Sequence, residues 1–144
     1  MAKTRFGIAL LAGCACVLIH GCGTKASAPV YPVRGQVLLN GKPLADAIVS
    51  FHAQNGNEHD TFPSAHTDSD GHFTLTTYTN GDGAPEGSYA ISLTCFRART
   101  GRTGGASQAQ NVVPMRYANP SSSGLIATVV AGDNELQPMK LKAF

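Results

Sequence analysis

The sequence has no tryptophan, and aromatic residues make up only 7% of its 144 residues. Few aromatic side chains are therefore available to stack against sugar rings. Only Phe96 and Tyr117 lie near the longest predicted loop, residues 96–124. Net charge is also small, at +2, and Lys3 and Arg5 supply all of it. The rest of the chain carries nine basic and nine acidic side chains. This balance excludes a general nucleic-acid binder, which needs a strongly basic surface.

Cysteine is scarce beyond the first 22 residues. Cys14, Cys16 and Cys22 fall within that segment, and Cys95 stands alone further along. A lone cysteine has no partner for an internal bridge, so a disulfide framework is excluded for the domain. The inward position of Cys95 on a predicted strand indicates a buried, inert thiol.

Long hydrophobic runs are absent as well. Residues 6–19 are an uncharged apolar run that follows Lys3 and Arg5. The 14 residues of this run are fewer than the about 20 that a membrane-spanning helix needs. A short apolar run behind a positive start is typical of a secretory signal peptide. Residues 1–21 are therefore predicted to be a signal peptide.

The apolar run closes with Ile19-His20-Gly21-Cys22, which resembles the lipobox of bacterial lipoproteins. The cysteine of that motif becomes the new N-terminus and carries the lipid. Leu11-Ala12-Gly13-Cys14 matches the motif better letter for letter, but it shortens the apolar run to residues 6–12. We therefore predict lipidation, including palmitate, at Cys22, with Cys14 as the alternative.

The lipid makes a membrane the first expected partner, because two or three acyl chains hold a protein far more firmly than one chain does. Residues 22–32 are small and polar, then proline-rich, and are predicted to be a tether. The predicted location is the cell envelope, on the exported side of a membrane, at the periplasmic or cell-surface face.

From residue 33 onward, apolar and polar residues alternate with a period of two, which is typical of strands with one buried face. Residues 33–144 are predicted to form one all-β domain, a seven-stranded antiparallel β-sandwich without helices. Its last two strands are predicted at residues 125–130 and 136–141. Residues 96–124 lack periodicity and are predicted to be a long connection.

One hairpin can be predicted in detail. Asp68-Ser69-Asp70-Gly71 has the sequence of a type I turn followed by a glycine in the left-handed region. That loop pairs Thr67 with Phe73. Phe73 and Leu75 should then point into the core.

Three segments, residues 33–47, 67–73 and 87–89, resemble carboxypeptidase-regulatory-like domains of transthyretin-like topology. The segment Thr67-Asp68-Ser69-Asp70-Gly71-His72-Phe73 matches a Thr-Asp-x-x-Gly-x-Phe hairpin of that family. Residues 117–125 are similar to a segment of small lipoproteins that are abundant in planctomycetes. The resemblance implies a β-sandwich in an exported lipoprotein. It implies no activity, because fold and function are separable.

No catalytic residue is predicted. The nucleophile motif Gly-x-Ser-x-Gly is absent from the sequence, and Cys95 is predicted to be buried. Transthyretin-like folds include a hydrolase of a purine-derived substrate, but its Tyr-Arg-Gly-Ser signature is also absent. We therefore expect no enzyme activity and no cofactor.

His66, Asp68 and His72 are weak candidates for a metal site, because their side chains can bind zinc or copper. All three are predicted on the outward face of one hairpin. However, His66 and His72 would lie diagonally, roughly 7–8 Å apart in an ideal ladder. The turn also explains Asp68 as its cap, so no metal is predicted.

Charge is distributed unevenly along the domain. Seven acidic residues and no Lys or Arg lie between Pro43 and Phe96. The long connection then carries the candidate anion-binding residues Arg97, Arg99, Arg102 and Arg116, with no acidic residue among them. If each strand reverses the previous one, this connection lies at the end of the sandwich opposite the tether. Long polar loops on rigid scaffolds are common binding sites.

These patterns predict a non-catalytic, envelope-anchored lipoprotein with a structural or binding role. The alternative is a carbohydrate- or anion-binding lipoprotein that uses residues 96–124, with an envelope polysaccharide or protein as partner. A metal-binding envelope protein is a more distant alternative.

We predict cleavage before Cys22, which leaves a lipoprotein of 123 residues. The apolar run that ends at this cysteine is the reason. Mass spectrometry of the processed N-terminal peptide should find acyl chains on Cys22. An unmodified Cys22 inside a longer peptide would refute this prediction.

Overall fold

The computed structural model describes residues 27–56, 61–99 and 108–143. Within these ranges 50 of the 105 residues lie in strands and eight in helices, so the all-β prediction is confirmed. The predicted signal peptide, Cys14, Cys22 and Arg102 lie outside the described residues. No helix in the described ranges is long and apolar enough to span a membrane.

The described residues form thirteen strands and two short helices. The strands are β1 Val30–Tyr31, β2 Val33–Leu39, β3 Lys42–Pro43, β4 Ile48–Ala53, β5 Ser64–His66, β6 His72–Thr74, β7 Ala84–Pro85, β8 Gly87–Thr94, β9 Phe96–Arg99, β10 Gln108–Asn111, β11 Ile126–Val129, β12 Asn134–Glu135 and β13 Met139–Leu141. The helices are α1 Met115–Ala118 and α2 Pro120–Ser123. The count exceeds the predicted seven by six because β1, β3, β7, β9, β10 and β12 are short segments beside turns or loops, where alternation is too brief to detect.

The first sheet is built around β2. On one side β2 pairs antiparallel with β3 and β6, and on the other side it pairs parallel with β12 and β13. The parallel pairs correct the prediction of a wholly antiparallel sandwich. They arise because β11 ends beside Gly87, near the start of β2. The chain after β11 therefore meets β2 at Val33 and runs beside it in the same direction. The strand predicted at 136–141 is also interrupted, since Pro138 has no N–H to donate.

The second sheet is antiparallel throughout, in the order β11-β8-β4-β5. Val49 pairs with Leu93 and Phe51 with Ile91, and all four side chains are buried. Residues of the opposite parity on the same strands are only partly buried. The predicted alternation along β4 and β8 is therefore confirmed.

The buried faces of the two sheets share one hydrophobic core. Val33 and Val37 come from β2, and Phe51 packs against Tyr89 with 5.5 Å between ring centroids. The Tyr89 hydroxyl donates a hydrogen bond to the Pro85 carbonyl at 2.8 Å, so its polar group is satisfied. Burying each such side chain contributes about 1.5–3 kcal/mol, which makes this core the main source of stability.

A buried hydroxyl holds the connection between the two sheets. The chain crosses from β3 to β4 through Leu44–Ala47, and Thr67 lies against this crossing, 4% exposed. The Thr67 hydroxyl donates to the Leu44 carbonyl at 2.6 Å and accepts from the Ala47 N–H at 2.9 Å. The Leu44 carbonyl and the Ala47 N–H are buried at this crossing, so each needs a hydrogen-bond partner within the protein.

Part of the predicted tether packs on the domain. Val30–Tyr31 pairs with Ala84–Pro85, and Ala28 is buried. The Ala28 N–H donates to the Tyr78 hydroxyl at 3.1 Å. A Cβ atom on Gly83 would overlap the Tyr31 carbonyl, so only glycine permits this close approach. Residues 28–31 are thereby held where β2 and β8 begin.

Asp82 organises the loop against which residues 28–31 pack. Its carboxylate accepts hydrogen bonds from the N–H groups of Thr77, Tyr78 and Thr79 at 2.7, 2.9 and 2.8 Å. Desolvation raises the pKa of Asp82, but these donors outweigh it and hold the pKa below its ordinary value of 3.8. The stabilisation from this charged form is therefore complete at neutral pH and is lost as pH falls through the lowered pKa.

Residues 96–99 and 108–124 form more secondary structure than predicted. β9 and β10 form a hairpin in which Phe96 pairs with Asn111, and the two helices follow. The helices contradict the prediction of no helix, because four residues each are too few to reveal a 3.6-residue period. α2 begins at Asn119, whose side chain caps the Ser121 N–H, and ends at Gly124 with φ +68°.

The β5–β6 hairpin has the predicted turn, although β5 pairs with β4 and β6 pairs with β2, so its two strands belong to different sheets. Asp68 Oδ1 accepts from the N–H groups of Asp70 and His72, each at 2.9 Å, and Gly71 has φ +74°. Phe73 and Leu75 are buried, as predicted.

Replacing Gly71 by alanine should destabilise the domain more than the same change at Gly41. Both residues have positive φ, +74° and +79°, which costs an alanine about 1–2 kcal/mol. A Cβ atom on Gly71 would also lie 2.5 Å from the Val37 carbonyl oxygen, whereas nothing lies within 4 Å of one on Gly41.

Thermal unfolding of both variants measures the difference in stability. In a domain of this size, each kcal/mol of lost stability lowers the melting temperature by about 4 °C. We expect Gly71→Ala to lower the melting temperature by at least about twice as much as Gly41→Ala. Equal shifts would mean that residue 71 does not pack against β2.

Candidate functional site

The structure brings two of the four predicted anion-binding arginines to one end of the domain. Arg97 is exposed on β9, and its Nη2 donates to the Ala45 carbonyl at 3.4 Å. Arg116 Nη2 donates to the Lys142 carbonyl at 3.0 Å. Arg99 lies on β9 opposite Gln108, and Arg102 lies outside the described residues.

Three exposed lysines lie at the same end, where β2 finishes. Lys42 pairs with Leu39, Lys140 pairs with Leu38, and Lys142 follows directly after β13. Sequence reasoning missed them because they come from two segments far apart in the chain. We call Arg97, Arg116, Lys42, Lys140 and Lys142 the basic end.

Hydrogen bonds at this end affect the hydroxyl of Tyr117. Its hydroxyl accepts from the Lys142 N–H at 3.2 Å and from Arg116 at 2.9 Å, and the Arg116 guanidinium lies 4.6 Å from the ring centroid. These two donors outweigh burial and lower the pKa of Tyr117 below its ordinary value. The described partners of Arg116 are uncharged groups, so its full charge remains available to an anion.

The basic end and residues 28–31 lie at opposite ends of β8. β7, which holds Val30–Tyr31, leads into β8 at Gly87, whereas the β9–β10 hairpin begins just after Thr94. Eight residues of strand separate them, a span of roughly 25 Å at about 3.3 Å per residue. The turn that carries Asp68 and Asp70 lies beside Pro43 and Leu44, and Asp46 follows in the same connection, so these acidic residues lie at the same end of the domain.

The weak metal candidates do not form a site. His66 lies in the second sheet opposite Ile48, whereas His72 lies in the first sheet opposite Gln36. Asp68 is engaged in capping its turn. In the described part of the chain, no three His, Cys, Asp or Glu residues are grouped so that they could hold a metal ion.

A surface groove lies on the outer side of the second sheet, and sequence reasoning did not find it. Its volume is 460 Å³. The floor includes Ala90 and His52, which pair across β8 and β4, and the wall includes residues of α2 and β11. We call this the side groove; its lining residues are His52, Ala53, Gln54, Ala90, Pro120, Ser121, Gly124, Leu125 and Ile126.

A hydrogen bond fixes one polar group of the side groove. His52 Nε2 lies 2.8 Å from the Ser92 hydroxyl oxygen, on the neighbouring strand. The two residues are 40 positions apart, so no sequence motif could have joined them. The contact holds the imidazole ring against the groove floor.

Cys95 is buried, as predicted, with 0% exposure. Its Sγ lies 3.5 Å from the Ala45 carbonyl oxygen, and its N–H donates to Asn111 Oδ1 at 3.0 Å. These contacts fix the base of the β9–β10 hairpin against the crossing connection.

A family model described as a domain of unknown function, DUF6795, matches residues 33–89, from β2 into β8. The matched part includes the side-groove residues His52 and Gln54 and the basic residue Lys42. It excludes Arg97, Arg116 and both helices. A search of the curated proteins finds no match to the sequence.

Solved structures give distant matches. One is a 9R-lipoxygenase from Cyanothece PCC8801, at 13% identity and a TM-score of 0.42, covering 82% of this chain and 18% of that chain. Another is a DUF3823 family protein from Parabacteroides merdae ATCC 43184, at 18% identity and a TM-score of 0.40, covering 81% of this chain and 46% of that chain. The chain thus spans less than half the length of either structure.

Proposed function

We propose that the protein is a non-catalytic lipoprotein of the cell envelope that binds an anionic polymer through its basic end. The observation that carries this proposal is the convergence of basic side chains from four separate segments, β3, β9, α1 and the end of β13. A planar guanidinium and a flexible ammonium group complement each other for carboxylates and phosphates.

The contacts of the two arginines favour binding over a purely structural role. Each guanidinium has five N–H donors, and the described contacts of Arg97 and Arg116 use only part of that set. The backbone carbonyls that they contact hold the guanidinium groups in place without neutralising them. An arriving anion would therefore meet positioned charges.

The proposed lipid anchor determines which way the basic end faces relative to the membrane. Lipid on Cys22 would place residues 22–27 between the membrane and the docked residues 28–31. The basic end would then face away from the membrane, toward envelope polymers. We propose an envelope polysaccharide bearing carboxylate or phosphate groups as the partner; a transthyretin-like, carboxypeptidase-regulatory-like topology for the domain is part of the same proposal.

Binding to polygalacturonate should weaken as salt rises, because exposed charges are screened over about 8 Å at physiological ionic strength. Replacing Arg97 and Lys140 together by glutamine should weaken binding about tenfold, or about 1.4 kcal/mol. The matched control is Arg34→Gln, since Arg34 is exposed on the first sheet opposite Glu135, away from the basic end.

Isothermal titration calorimetry in detergent, at two salt concentrations, measures the affinity for polygalacturonate. It is carried out on the original full chain, the double variant and Arg34→Gln. Neutral dextran serves as the control polymer. Equal losses for Arg34→Gln and the double variant, or binding that salt does not alter, would contradict the proposal.

A further inference from the structure

Ile126 is an exposed apolar side chain beside a formed groove. It is 75% exposed on β11, and in the sheet it pairs with Ala90, which pairs in turn with His52. The three residues form one row across the outer face of the second sheet. The branched apolar side chain of Ile126 thus forms part of the groove wall. The small side chain of Ala90 forms part of the floor and leaves space above it.

The part of the wall formed by α2 is rigid although the helix is short. Asn119 caps the start of α2, Pro120 restricts the first helical turn, and Gly124 ends it in the left-handed region. The Ser122 hydroxyl also donates to the Arg116 carbonyl at 2.8 Å, which joins α2 to α1. These contacts hold Pro120 and Ser121 in place at the groove edge.

The side groove combines apolar surface with hydrogen-bonding groups. Apolar carbon comes from Ile126, Leu125 and Pro120, and polar groups come from His52, Gln54 and Ser121. None of the nine lining residues is an acid, a lysine or an arginine. Its volume lies within the range of about 300–1,000 Å³ that is usual for small-molecule sites.

We propose that the side groove binds a neutral sugar residue of a glycan. A pyranose ring has an apolar C–H face, which fits Ile126 and Pro120, and a rim of hydroxyl groups. Those hydroxyls would bond to Gln54, Ser121 and the imidazole of His52. The absence of lysine and arginine from the lining favours a neutral ring over an acidic one, because a carboxylate would find no permanent positive charge to pair with.

This site is separate from the basic end, and it does not depend on the function proposed above. The two sites differ in charge, so different probes test them. A chain that binds polygalacturonate but no neutral sugar would overturn the groove assignment alone.

The test is a titration of the full chain, isotopically labelled, in a detergent without a sugar headgroup. Backbone amide signals are followed by NMR while cellobiose, maltose or N,N′-diacetylchitobiose is added. At least one sugar should give saturable shifts at His52, Ala90, Ser121 and Gly124. Ile126→Ser should weaken that binding about tenfold.

Val130→Ser is the matched control, because Val130 lies just after the same strand, is 51% exposed and does not line the groove. This variant should bind as the original chain does. The proposal fails if none of the three sugars gives saturable shifts, if the shifts fall outside the groove, or if both serine variants lose affinity equally. Stronger saturation by an apolar peptide would assign the groove to a protein partner instead.

Discussion

The architecture depends on the crossing connection Leu44–Ala47, which carries the chain from one sheet to the other. A crossing of this kind buries backbone groups that have no strand partner, and an unsatisfied buried group costs about 1–3 kcal/mol. The Thr67 hydroxyl satisfies two of them at once, since it accepts from Ala47 and donates to Leu44. Because Thr67 directly follows β5, the same contact fixes the β5–β6 hairpin against the segment that follows β3. The two sheets are therefore held together by a polar contact as well as by apolar packing.

The crossing also positions the candidate binding surface. Its Ala45 carbonyl receives both the Cys95 thiol and the Arg97 guanidinium, so the base of the β9–β10 hairpin lies against it. β13 then returns beside β2 and brings its lysines to the same end. The two sites proposed here differ in origin. The basic end gathers exposed charges from strand ends and α1, whereas the side groove lies where α2 leads into the start of β11.

Local patterns in the sequence predict a good part of this fold. Alternation along β4 and β8 places their buried side chains correctly, and the turn at Asp68–Gly71 is predicted down to its left-handed glycine and the burial of Phe73. Non-local features could not be predicted. The parallel pairing of β12 and β13 depends on where β11 ends in the other sheet, and the contact between His52 and Ser92 joins residues 40 positions apart. The four-residue helices are too short to produce a periodic signal.

The central proposal is that Cys22 carries a lipid anchor and that the basic end faces away from the membrane. Lipid-attached quenchers in vesicles measure this directly on the acylated full chain, labelled with a fluorophore at Glu86→Cys or at Ala109→Cys. Both positions are exposed, and Cys95 is buried and should stay unlabelled. The label at residue 86, beside the docked residues 28–31, should be quenched strongly, and the label at residue 109, on the β9–β10 hairpin, should not. Equal quenching, or stronger quenching at residue 109, would contradict the account.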